Sequence, residues 1–236
     1  MFEEKLWLAA QAAAGDTIAV EVVRGIHYTA VFLGSRDVGM ADTFPARSDD
    51  AEWSSPLLLH LPLEAGELLR LARSPHLGDR AVALATANAL LQRESASGAT
   101  ETPPLKEKSD IVAVGNVGGL ARELRLQGHR LRIFDERDKN SLPLDMAARS
   151  LAEADLVLLA SSSLVNGAWK IVFERARNVW IAGPSCPLRA DLFEGTPVSW
   201  LMGRRVIDQD RLSRLLMRGC GLAQLEVSME RLHIPL

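Results

Sequence analysis

From residue 110 onward, short apolar runs alternate with longer amphipathic stretches, and this period constrains the fold more than any other feature of the chain. The runs are IVAV at 111–114, LRIF at 131–134, LVLL at 156–159, VWIA at 179–182 and VSWL at 198–201, with a sixth candidate at 225–229. Between them, residues 120–127, 168–175 and 208–217 have the spacing of helices. Runs of four apolar residues are too short for buried helices and suit strands hidden on both faces. Such strands, separated by helices, predict a parallel sheet covered on both sides, a Rossmann-like α/β domain over 110–236. A fold of this kind places ligands at the carboxyl ends of its strands, so the loops that follow the runs are the first places to look for chemistry.

Upstream, ESASGATETPPLKEKS at 94–109 is polar, has no aromatic residue and carries a double proline, so it reads as a linker. Residues 1–93 then form a separate, smaller unit. Phe2, Leu6 and Ala9/Ala10 sit at helical spacing over 2–14, and Gly15-Asp16 ends that helix. Residues 17–23 and 27–33 are β-rich and joined by Arg24-Gly25-Ile26, which suggests a hairpin. Two helices are expected at 63–72 and 79–92. The order helix, two strands, loop, two helices predicts a small α+β domain.

Bulk properties narrow the function classes. The chain has 236 residues, of which 47% are hydrophobic, and a net charge of −3, a balance without the basic footprint of a nucleic-acid binder. No apolar run approaches the roughly 18–20 residues that span a bilayer. The opening MFEEKLWLAAQAAAGD is acidic and lacks the basic start of a signal peptide, so a cytoplasmic location is expected. Cys186 and Cys220, the two cysteines, make neither a disulfide framework nor a zinc module. Among the histidines no His-x-x-x-His pair occurs, which argues against a zinc site built from sequence-local ligands. His129, at the start of a strand and so at the far end of the sheet, reads as structural.

Four loops could carry chemistry. After the first run, Gly115-Asn116-Val117-Gly118-Gly119 lets the backbone approach a ligand and offers helix-start amides to an anion. Asp135 and Glu136 close the second run, where a dinucleotide fold keeps its ribose-binding carboxylate. The glycine spacing is GxxGG rather than GxGxxG, which argues against NAD; a tight strand-to-helix turn explains the glycines equally well. After the third run, Ser161, Ser162, Ser163 and Asn166 are more polar groups than a helix cap needs, so a ligand role is favoured over capping alone. After the fourth, Gly183-Pro184-Ser185-Cys186-Pro187 is stiffened by its prolines; Cys186 is either a soft metal ligand or nucleophile, or a small buried residue in a turn. After the fifth, Asp208 most simply caps the next helix and otherwise faces the site. In the N-terminal part Thr29, Asp42 and Thr43 are notable polar residues. Asn88 interrupts an alanine-rich helix, and either bonds a neighbouring loop, the favoured reading, or points into a cleft.

The segments VAVGNVGGL, HRLRIFDERD, ADLVLLASSSLVNGAW, VWIAGPSCPL and LFEGTPVSWLMGRRVID together resemble a family of unknown function described as "Putative heavy-metal chelation". Typical members carry VG-x-F-P-[FL], a glutamate, TGSTLINGT and GPSTPL after their first four strands. The resemblance is strong over 110–208 and extends to the N-terminal part through HYTAVFLG and the helix carrying Asn88. It implies an enolase N-terminal-like domain followed by a Rossmann-like domain, with a ligand site in the cleft between them. Carried over residue by residue, it implies ligand-binding roles for Asn116, Glu136, Ser161, Ser162, Ser163, Asn166, Gly183, Pro184, Ser185 and Asn88, with Glu136 and Asp208 as metal donors; Cys186 is a further candidate metal donor on the softness of its own thiol. This chain departs from the pattern at Asn116-Val117-Gly118, where the family has phenylalanine-proline, and at Cys186, where it has threonine. The implied function is binding or chelation of a transition or heavy metal, or of a metal held by a small organic chelator. Two other functions stay open: an enzyme acting on a small polar metabolite at the strand ends, with no nucleophile–base pair visible to name its reaction, and a scaffolding module without chemistry. The expected partner is a small-molecule or metal ligand, with no nucleic acid and no membrane; a homodimer is allowed.

Overall fold

The computed structural model describes residues 1–44, 56–92, 105–135, 141 and 144–236. Its first part is a four-stranded antiparallel sheet with helices on one face. The strands are β1 (Ile18–Arg24), β2 (Tyr28–Leu33), β3 (Val38–Asp42) and β4 (Leu63–Glu64), in the order β3-β2-β1-β4. The β1–β2 hairpin is where the sequence places it. The two further strands were not expected. VGMAD is short and carries a glycine, and β4 has two residues, so neither shows the alternation that marks a strand.

Three helices pack on one face of this sheet: α1 (Phe2–Ala14), α2 (Ala65–Leu69) and α3 (Leu77–Leu91). From Ala81 to Leu91 the third helix is buried at every position, as expected of a helix that is apolar on all sides. Its alanines allow β3 to come very close. A Cβ on Gly39 would lie 2.0 Å from the Ala85 carbonyl oxygen and 2.2 Å from the Ala89 nitrogen, so only glycine fits there.

The second part is a six-stranded sheet in the order β10-β9-β8-β7-β5-β6. The strands β5 (Asp110–Val114), β6 (Arg130–Phe134), β7 (Leu156–Ala160), β8 (Val179–Ala182) and β9 (Val198–Val206) run parallel. The last strand, β10 (Met229–Pro235), returns antiparallel to β9. The connecting helices are α4 (Gly119–Leu126), α5 (Ala148–Glu153), α6 (Ser163–Asn166), α7 (Trp169–Arg175), α8 (Gln209–Met217) and α9 (Leu222–Leu225). The Rossmann-like parallel sheet is therefore present, with two differences from the sequence reading. The fifth strand is longer, so Gly203, Arg204 and Arg205 lie within it rather than in a loop. The sixth starts at Met229 and runs antiparallel, whereas 225–229 holds the end of α9 and a helical turn.

The two sheets share packing. Phe2 stacks on Phe193 with centroids 4.7 Å apart and meets Trp169 edge-on at 5.2 Å, so α1 is anchored on the second part. On the antiparallel sheet, Val31, Leu33 and Ala41 belong to the core that continues into the parallel sheet. Val23, Ala30, Phe32, Val38 and Met40 face the other way, against Leu212 and Leu216 of α8 and Leu225 of α9. The antiparallel sheet thus buries one face under its own helices and the other under helices that follow β9. Both faces of β2 are apolar because both are covered.

Candidate functional site

A cleft of about 890 Å³ opens between the two parts. Its floor is the carboxyl end of the parallel sheet: Asn116–Gly119 beyond β5, Ala160–Ser162 at the end of β7, and Ala182, Gly183 and Pro184 at the end of β8. Met202 and Arg204 of β9 and Arg231 and His233 of β10 extend this wall. The antiparallel part supplies Ile26, His27, Tyr28, Asp42 and Thr43. This is the position that a parallel α/β sheet makes available to ligands, since loops diverge where the strands end.

The residues expected from the sequence divide into three groups. Asn116, Ser161, Ser162, Gly183 and Pro184 line the cleft. Asn116 is exposed, and its Oδ1 accepts a 2.8 Å bond from the Gly118 amide, which shapes the turn into α4. Ser161 Oγ accepts from the Ser185 amide at 3.1 Å, joining the third-strand and fourth-strand loops. Gly183 has φ +132°, and a Cβ there would meet Ser161 Oγ at 2.4 Å, so glycine is required both by conformation and by contact.

Ser185 and Asn88 sit behind the lining and hold the two parts together. Ser185 Oγ donates to Asp42 Oδ2 at 2.7 Å and accepts from the Asp42 amide at 2.8 Å. Asn88 Nδ2 donates to the Met40 carbonyl at 2.8 Å and to the Ser185 carbonyl at 3.1 Å. The amide on the alanine-rich helix therefore bonds strand β3 and the loop after β8, and the loop bond is the favoured of the two readings open for it. Within the antiparallel part, Thr29 and Thr43 pair through their hydroxyls at 2.9 Å.

Cys186, Asp208, Asn166 and Ser163 are not among the residues that line the cleft. Cys186 is 1% exposed and packed in the main core, where burial pushes its thiol up and disfavours the thiolate that a soft metal needs. Asp208 is exposed and caps α8 by accepting from the Arg211 amide at 3.0 Å. Asn166 is exposed and accepts from the Ala168 amide at 3.0 Å. Ser163 is buried, and its hydroxyl has no hydrogen-bond partner among the described residues. Glu136 lies outside the described residues. Among the described residues, no group of three or more His, Cys, Asp or Glu side chains is arranged to hold a metal ion. The donors of the described residues therefore do not by themselves make the set of three or four protein ligands that a bare transition ion takes.

Sequence reasoning missed the charged wall of the cleft. Glu226 accepts from Arg204 Nη2 at 3.0 Å through one carboxylate oxygen and from Arg231 Nη2 at 2.6 Å through the other. Burial alone would raise the Glu226 carboxyl, but the bonds to Arg231 and Arg204 outweigh it and hold the group below its ordinary value. Burial lowers the Arg204 guanidinium against the opposing pull of Glu226. One signal was available: Arg231 and His233 are two apart and so share a strand face. Reading it required knowing that MERLHIP is a strand paired with β9.

Comparison with known proteins agrees with this architecture. The family model DUF364, described as "Putative heavy-metal chelation", matches residues 99–234, and DUF4213, with the same description, matches residues 8–91. The chain is similar over its full length to the crystal structure of a protein of unknown function from the DUF364 family of Pyrococcus horikoshii. The match covers 100% of both chains, with 22% identity and a TM-score of 0.83. A second DUF364 protein of unknown function, from Desulfitobacterium hafniense DCB-2, matches over 98% of both chains with 18% identity and a TM-score of 0.79. At these identities the likeness speaks for the fold alone. No curated protein matches the chain. Because this family model matches residues 99–234, more than half of the chain, the chain belongs to the DUF364 family, described as "Putative heavy-metal chelation".

Proposed function

We propose that this protein binds a transition or heavy metal presented as a complex with a small organic molecule, and that the complex sits in the cleft between the antiparallel and parallel sheets. The observation that carries this reading is the cleft's chemistry. A volume of about 890 Å³ suits a small molecule rather than a single ion. Its lining offers serine hydroxyls and loop amides from three strand ends together with the Arg204–Glu226–Arg231 cluster. The family description supplies the metal; the hydrogen-bonding wall supplies the reason for the organic part. In this reading Ser161, Ser162 and Asn116 orient the complex, while Ser185 and Asn88 keep the walls at their separation.

The test is equilibrium dialysis with metal analysis, using nickel, cobalt, zinc and ferric ions alone and as citrate complexes. Stoichiometric uptake of a complex, with weaker uptake of the free ion, is the expected result. Replacing exposed Asn116 with tryptophan narrows the cleft at its wall and should abolish uptake while leaving the fold intact by circular dichroism. Equal uptake by that variant would place the ligand elsewhere. A second reading, turnover of a small polar metabolite, is favoured by the position of the cleft at the strand ends. Chemical change in a bound metabolite without any metal would support it instead.

A further inference from the structure

The β9–β10 ribbon treats charge differently on its two faces. Away from the cleft, Arg205 stands opposite Glu230 and pairs with it, a matched cation and anion. On the cleft side the residues directly opposite one another are Arg204 and Arg231, two cations. Like charges facing across a strand pair repel and are disfavoured unless something neutralises them. Glu226 does so only in part, since a single carboxylate is shared between two guanidinium groups. Arg204 Nε is also buried without a hydrogen-bond partner among the described residues. Arg231 keeps 63% of its side chain exposed, so its guanidinium is accessible from the cleft.

The lining's other carboxylates, Asp42 and Glu123, stand on elements outside the β9–β10 ribbon. Asp42 ends β3 on the antiparallel wall, where its carboxylate accepts from Ser185 Oγ. Glu123 belongs to α4, which follows β5, three strands away from β9 in the sheet. Three strand spacings amount to about 14 Å across the sheet.

We propose that Arg204 and Arg231 form an anion-recognition wall, and that the cleft takes a small organic anion whose carboxylate or phosphate oxygens accept from the two guanidinium groups. Glu226 keeps the arginines parallel in the absence of ligand and competes with the incoming anion for the same donors. Paired guanidinium groups suit planar or tetrahedral oxyanions because each presents several fixed N–H donors. The inference rests on the cleft being a ligand site, but it does not require the ligand to carry metal.

Opposed effects of two variants test it. Titration calorimetry would use citrate, inorganic phosphate and nickel–citrate as probes with the whole chain. The wild type should bind at least one of them, more weakly as salt rises. Arg231→Gln should weaken binding by about tenfold, the scale of one charge-assisted hydrogen bond. Glu226→Gln should strengthen it, because the competing carboxylate is gone. Arg205→Gln, on the far face of the ribbon, should bind as the wild type does. Two results would overturn the proposal: no binding of any of the three probes by the wild type, or equal losses in the Arg231→Gln and Glu226→Gln proteins, which would mark a purely structural triad. Metal-free citrate binding with the expected variant pattern, but no nickel uptake, would uphold the anion wall and remove the metal from the proposed function. Nickel–citrate binding that ignores Arg231→Gln would do the reverse.

Discussion

Ser185 and Asp42 are 143 positions apart, and Ser185 Oγ makes two hydrogen bonds to Asp42: it donates to the carboxylate at 2.7 Å and accepts from the backbone amide at 2.8 Å. Its own amide reaches Ser161, and its carbonyl is held by Asn88. One buried serine therefore sets the relation between the antiparallel sheet and two loops of the parallel sheet, and the cleft width follows from it.

Replacing Ser185 with alanine should lower the unfolding free energy by roughly 1–3 kcal/mol, since a buried amide and a carboxylate oxygen lose their partner. Denaturant titration measures the loss. Hydrogen exchange should quicken at the Asp42 amide first, because that N–H loses its acceptor, with helix α1 unaffected. Uniform quickening over the whole chain would contradict a local seam.

At Asn88 the two possible substitutions should rank in a defined order. Asn88→Ala leaves the Met40 and Ser185 carbonyls without a donor, a cost of about 2–4 kcal/mol for the pair. Asn88→Asp should be worse at neutral pH, because it turns a carboxylate toward those carbonyls in a position 1% exposed. Burial raises the pKa of such a carboxyl, so acidification should protonate it, restore one donor and narrow the gap between the variants. Thermal melts at neutral and acid pH report the order; a smaller loss for the aspartate variant at neutral pH would refute this account.

The two cysteines should differ in reactivity. Cys186 is sealed in the core with its thiol pushed up by burial, so the thiolate is scarce at neutral pH. Cys220 is partly exposed. A chromogenic disulfide reagent should modify Cys220 in the native protein and reach Cys186 only in denaturant. Native modification of Cys186, or its protection by added metal, would return it to the ligand set.

Acid should weaken the β9–β10 corner through Glu226. Its carboxyl is held below the ordinary value of 4.5 in the folded protein. A depressed carboxyl contributes stability above its unfolded pKa and loses that contribution as pH falls through the folded one. The wild type should therefore lose more stability than Glu226→Gln as pH drops below about 4.5. Parallel stability–pH curves for the two proteins would show that the arginine contacts contribute nothing.

The parallel half was legible because its signals are local. Runs such as LVLL and VWIA state their own secondary structure, and their flanking loops follow. Those loops already pointed to Ser161, Ser162 and Gly183, which line the cleft, and the resemblance agreed with them. Less of the antiparallel part could be read. In β3, Val38–Asp42, Gly39 is present for its contact with α3, and that partner lies more than forty residues downstream.

By itself, the sequence determined the kinds of element, their order, the Rossmann-like sheet and the loops at its strand ends, since hydrophobic period and turn residues act over a few positions. The tertiary structure alone decided which of those residues meet. It turned Asn88 toward Ser185, buried Cys186 away from the cleft, covered the antiparallel sheet with α8, and set Arg204 opposite Arg231. These outcomes depend on packing and strand pairing between distant segments, where burial and charge are settled jointly by residues that no local pattern connects.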